Sequence, residues 1–204
     1  MKRKIIGLSL AASCIVILFS FFVLHIRKQS PKQWQNKLTL AQKEFHEAHY
    51  QEARRLLMPI AHQTKNRWAK AGAHYFLGKM YLYEHGVTKD YKKALAYFQP
   101  TAEQTENLSD KAAAQYFLGR MYYNGTGVTR DYKKAFAYFQ SVAQQTDNPW
   151  AKTNAHYFLG KMYYLGQGTD INQKTGKNIL EQIAHQTQFL DAQQQAKDFL
   201  KELL

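Results

Sequence analysis

The chain has 204 residues, 28 Lys and Arg against 15 Asp and Glu, a formal net charge of +13, and a single cysteine. One cysteine excludes an intramolecular disulfide framework, and the length suffices for one domain with its own core. The positive charge suits anionic partners or a lipid surface, but no basic run or nucleic-acid motif accompanies it, so DNA and RNA are not expected as partners.

Residues 1–30 are predicted to form an N-terminal anchor. Ile5 to Ile26 read IIGLSLAASCIVILFSFFVLHI, without Asp, Glu, Lys or Arg. A bilayer core of about 30 Å requires roughly 20 apolar residues in a helix, so this segment predicts a single transmembrane helix over about 5–26. A signal-peptide core is shorter, whereas here the apolar run continues past Cys14 to Ile26; the reading is an uncleaved signal anchor. Lys2, Arg3 and Lys4 favour a cytoplasmic N-terminus, while Arg27, Lys28 and Lys32 pull the other way. The expectation is a single-pass protein of a bacterial inner membrane with the rest of the chain in the periplasm. Residues 1–32 hold six basic and no acidic residues, leaving 22 basic against 15 acidic, or +7, for the remainder.

Residues 31–65 predict a first helix pair, with Leu40, Ala41, Ala53, Leu57 and Ala61 as its packing positions. Residues 66–188 then repeat with a period of 41. Tyr75-Phe76-Leu77-Gly78 returns as Tyr116-Phe117-Leu118-Gly119 and as Tyr157-Phe158-Leu159-Gly160. Gly86-Val87-Thr88-Lys89-Asp90-Tyr91-Lys92-Lys93-Ala94 returns from Gly127 to Ala135 with Arg130 for Lys89. A fixed period of this size marks a stacked repeat architecture. Ala73, Phe76, Leu77 and Met80 fall on one stripe of a first helix. A glycine link such as Asn124 to Gly127 turns the chain. Asp90 or Asp131 can cap the second helix. Tyr91, Ala94, Leu95, Tyr97, Phe98 and Ala102 form that helix's packing set, and small residues at Gly78 and Ala94 let the two helices approach. Pro59 and Pro100, at one repeat position late in second helices, are expected to bend them. In the last copy Thr169, Asn172 and Thr175 replace Val, Asp and Lys, which predicts a less regular link. Ala196, Phe199, Leu200 and Leu203 read as a half repeat, so residues 189–204 form a capping helix.

Ala114, Leu118, Gly119, Tyr122, Gly125, Gly127, Val128, Asp131, Lys134 and Ala135 stand in the order of the Sel-one-like repeat signature, and the chain resembles that family, a relative of the tetratricopeptide repeat. The first full copy has Glu84 where Gly125 stands. Residues 31–65 resemble a tetratricopeptide unit. The resemblance implies an all-α, right-handed α-solenoid of tandem helix–turn–helix repeats, preceded here by the transmembrane helix. It also implies that first helices line a concave face used to bind proteins.

No catalytic constellation emerges, so an enzyme is not expected, nor a cofactor, a metal or a small-molecule substrate. The glycine links lack the Lys-Ser or Lys-Thr of a phosphate loop, and His46 and His49 lie three apart rather than four, unlike a zinc-protease helix. One face stands out: Tyr75, Lys79 and Leu82 share a helix side opposite the apolar stripe, repeated as Tyr116, Arg120, Tyr123 and as Tyr157, Lys161, Tyr164. These residues either pack between neighbouring repeats or form a groove for a protein or peptide, with cations suited to an acidic segment. Two functions fit: a membrane-anchored interaction scaffold, or an immunity protein neutralising a secreted antibacterial toxin in the periplasm.

Overall fold

The computed structural model describes residues 30–103, 106–145, 147–186 and 188–203. Within them the order is α1 (Pro31–His46), α2 (Tyr50–Gln63), α3 (Arg67–Tyr83), α4 (Tyr91–Glu103), α5 (Leu108–Asn124), α6 (Tyr132–Ala143), α7 (Pro149–Leu165), α8 (Gln173–Ala184) and α9 (Leu190–Lys201). The expected membrane helix over 5–26 lies outside the described residues. Among the described residues no helix is long and apolar enough to cross a membrane.

Local chemistry sets the helix ends. Ser30 opens α1 with a reciprocal box: its hydroxyl accepts from the Gln33 backbone N–H (3.3 Å), and the Gln33 side-chain Oε1 accepts from the Ser30 backbone N–H (2.8 Å). Asn66, Asn107 and Asn148 cap α3, α5 and α7, each accepting from the N–H three residues on. Asp90 and Asp131 cap α4 and α6 in the same way, at 3.0 Å each. Pro59 and Pro100 lie inside α2 and α4, and neither ends its helix.

The last link is as regular as the others, contrary to the sequence expectation. Asn172 accepts from the Thr175 N–H at 3.0 Å, as Asp131 does from Lys134. The backbone bond that closes the link also repeats: Asp90 to Tyr81, Asp131 to Tyr122 and Asn172 to Tyr163, at 2.8 to 3.0 Å. An amide oxygen caps as well as a carboxylate, and Gly166 and Gly168 keep the left-handed backbone of Gly125 and Gly127. The first link reaches the same shape with only one glycine: Gly86 matches Gly127, and Glu84 takes the place of Gly125 at φ 63°.

The helices form two layers. The first helices α1, α3, α5, α7 and α9 touch one another in series. The second helices α2, α4, α6 and α8 each touch the first helices on either side but not one another. Closer spacing within the first-helix layer makes that face concave. The core runs between the layers and crosses every repeat boundary. Phe98 and Phe139 are fully buried. Each lies over the glycine of its own first helix and stacks on the phenylalanine of the next: Phe98 on Phe117 at 5.2 Å, Phe139 on Phe158 at 4.7 Å. Glycine is required there, because a Cβ at Gly78 or Gly119 would stand 2.6 or 2.7 Å from the ring. The third copy pairs Gly160 with Leu180 instead.

Candidate functional site

The predicted ladder lies on α3, α5 and α7, the inner layer, and the structure separates its tyrosines from its cations. Tyr116 and Tyr157 are buried at 4% and 7% exposure, and Tyr75 is half-buried. Tyr75 lies 5.0 Å from Phe76 and 6.1 Å from Phe117 of the next repeat. Tyr116 sits edge-on to Trp150 at 5.0 Å and reaches Phe158 at 6.2 Å, both on the following first helix. Burial pushes the phenols of Tyr116 and Tyr157 up to about 12, and that of Tyr75 higher still. The rings of Tyr75 and Tyr116 thus join neighbouring repeats.

The cations are braced on aromatic faces. Lys79 Nζ lies 5.0 Å from the Phe45 ring and 5.5 Å from Tyr75. Lys161 Nζ lies 5.0 Å from Phe199 and 5.6 Å from Tyr157. Each lysine therefore ties its own ring to one on a neighbouring first helix, an attraction worth about 0.5–2 kcal/mol. Burial holds both ammonium groups below the ordinary lysine range. Arg120 leans on Tyr116 at 5.7 Å and donates from Nη1 to the Tyr83 hydroxyl at 3.0 Å, while its Nε is buried without a hydrogen-bond partner. Leu82, Tyr123 and Tyr164 are half-buried. Tyr123 donates to Gln167 Oε1 at 2.8 Å, and Tyr164 sits edge-on to Phe199.

Two features were missed in the sequence. Tyr83, 40% exposed, completes the Arg120 environment, with Leu82, Lys89, Tyr91 and Phe117 lining a 270 Å³ recess beside it. A second ladder also joins the layers: Tyr81 stacks on Tyr97 beneath Lys93, and Tyr122 on Tyr138 beneath Lys134. The 41-residue alignment contained that signal, since Tyr81, Lys93 and Tyr97 recur together. At the end of α1, Glu44, Glu47 and His49 bring one ligand atom each within 4.8 Å. A 3.0 Å contact between His49 Nδ1 and Glu44 satisfies this exposed group.

The model of the Sel1 repeat family matches residues 71–105, 112–147 and 153–187. The crystal structure of a Sel1 repeat protein from Oxalobacter formigenes is similar with a TM-score of 0.56 and 23% identity; the match covers 71% of this chain and 53% of that one. A protective antigen, c5321, of uropathogenic Escherichia coli strains, displaying an SLR fold, gives 0.48 and 21%, over 71% of this chain and 32% of that one. The chain thus spans about half the length of the first of these proteins and a third of the second. No curated protein matches it. Sel1 repeat proteins generally mediate protein–protein interaction. With three matched copies, a two-layer helix-pair stack and glycine–phenylalanine contacts repeated along it, the chain belongs to the Sel1 repeat family.

Proposed function

We propose that this protein is a membrane-anchored interaction scaffold, held by residues 5–26 in a bacterial inner membrane with its repeats in the periplasm. A protein or peptide segment carrying carboxylates docks on the first-helix face. The observation that carries this reading is Arg120. It is held in place by Tyr83 and Tyr116 and keeps its positive charge, in the middle of the row of cations. A planar guanidinium held in a fixed orientation is suited to a carboxylate. Lys79 and Lys161 continue the same row on either side. Rings that cross every repeat boundary make the face rigid before a partner arrives, which lowers the entropy cost of binding.

The test is capture of a partner from membranes by the full-length protein, comparing wild type with K79M/R120M/K161M. Methionine keeps an unbranched stem on each ring and removes the charge. Loss of a specific partner by a variant with unchanged circular dichroism supports the reading; retention of that partner by the folded variant refutes it. A captured secreted toxin would identify the scaffold as an immunity protein.

A further inference from the structure

We propose a second docking site, separate from the first-helix face: the groove beside α8 and α9 in the outer layer, built to take an acidic amphipathic helix of a partner protein. A 640 Å³ groove lies between α8 and α9, with Lys177, Glu181 and Ala184 on one wall and Lys197, Leu200 and Lys201 on the other. By the 41-residue period these are the counterparts of Arg54, Met58, Ala61, His74, Leu77 and Gly78. In the first copy, that set is the seat of the next second helix, α4. Tyr97 lies 5.5 Å from His74, its hydroxyl reaches Met58 Sδ at 3.9 Å, and Phe98 covers Gly78. Among the described residues nothing takes this seat beyond α9. The groove therefore has the form of a helix site, because three earlier copies of it hold helices.

The residues lining it state the chemistry of the visitor. Lys197 stands where Gln115 stands two seats earlier in the outer layer, and Gln115 is met there by Ser141 of α6 and by Gln145 just beyond its end, at 3.2 and 2.7 Å. Carboxylates at those two positions would meet Lys197. Lys177 stands where Arg54 faces Tyr97, so a carboxylate at the Tyr97 position, the Tyr138 position of α6, would meet Lys177. Lys201 replaces the glycine of each complete repeat. A Cβ alone would stand 2.7 Å from Phe139 at Gly119 and 2.8 Å from Leu180 at Gly160, so the visitor's central apolar residue is leucine-sized or smaller and its helix rides outward. Of the three lysines only Lys177 has an ion partner among the described residues, Glu181 at 3.8 Å. A chain of net charge +13 is a poor visitor to a lysine-lined groove, which favours an acidic partner over a second copy.

The probe is a fluorescein-labelled peptide of residues 131–145 carrying F139L with Y138E, S141E and Q145E; the control carries F139L alone. Anisotropy against the full-length protein is expected to show the acidic peptide binding about tenfold or more tightly than the control. That advantage is expected to shrink with added salt and to disappear in K177E/K197E, two exposed substitutions whose circular dichroism should match wild type. Equal binding of both peptides, or binding unaffected by K177E/K197E, would overturn the acidic assignment. So would a dimer in sedimentation that K177E/K197E dissolves, since a second copy would then fill the groove. Absence of binding by a monomeric protein would overturn the site itself.

Discussion

Replacing Gly119 with alanine is expected to destabilise the protein while Phe139 is present and to stabilise it when Phe139 is gone. The added Cβ would lie 2.7 Å from Cε1 of Phe139 and 3.0 Å from two more ring atoms. Carbon atoms rest about 3.5–4.0 Å apart, so the ring must retreat by nearly 1 Å. It is fully buried and stacked on Phe158 at an interplanar angle of 8°, which leaves it little room. Overpacking of this kind costs about 1–3 kcal/mol, against which alanine gains about 1 kcal/mol of helix propensity over glycine. The net loss for G119A is about 1 kcal/mol. F139A alone should cost about 3–5 kcal/mol as a buried large-to-small change. In the F139A background the clash is absent, so G119A should gain about 1 kcal/mol, and the pair couples by about 2 kcal/mol. Urea denaturation followed by circular dichroism and tyrosine–tryptophan fluorescence measures all four proteins, and coincident transitions establish that a single free energy applies. Equal effects of G119A in both backgrounds would refute the claim that glycine is there for the ring.

Three further outcomes follow from the geometry. E84G should raise stability by about 0.5–1 kcal/mol, because Glu84 holds a left-handed backbone at φ 63° that glycine adopts without strain; its exposed contact with Lys89 offsets little. N148A should cost about 1 kcal/mol in the same denaturation assay, since Asn148 caps α7 and also donates to the Ser109 carbonyl of α5. Asp110 and His74 should oppose each other in acid. Burial raises the Asp110 carboxyl from 3.8 to about 6, so its stabilising contribution is full below pH 3.8 and is lost as pH rises through 6. Burial lowers His74 from 6.5 to about 4, so its contribution is full above pH 6.5 and is lost as pH falls through 4. Each shift corresponds to up to about 3 kcal/mol. Wild-type Tm should therefore change little from these two groups between pH 4 and 6.5. D110N should be more stable than wild type at pH 7 and lose stability steadily on acidification. A D110N profile parallel to wild type would refute the assignment.

The repeat, its period and its helix pairs were legible along the chain because each rests on nearest neighbours in sequence: apolar spacing, a cap, a glycine that turns the backbone. The family followed from the same residues. The last link shows where this local reading was too strict, since Asn172 was counted as a departure although its amide oxygen makes the bond an aspartate would make. The site divides differently. That Tyr75, Tyr116 and Tyr157 share a helix face with Lys79, Arg120 and Lys161 is periodicity. That Tyr75 and Tyr116 pack against Phe117 and Trp150 while the cations are drawn onto rings is tertiary. A solenoid face becomes interior or exterior only when the next repeat stacks on it, and the partner ring lies about a full repeat away in sequence. The braces Lys79–Phe45 and Arg120–Tyr83 depend on that stacking. So does the open seat beside α9, whose lysines became meaningful once the same position three repeats earlier was seen to hold a helix.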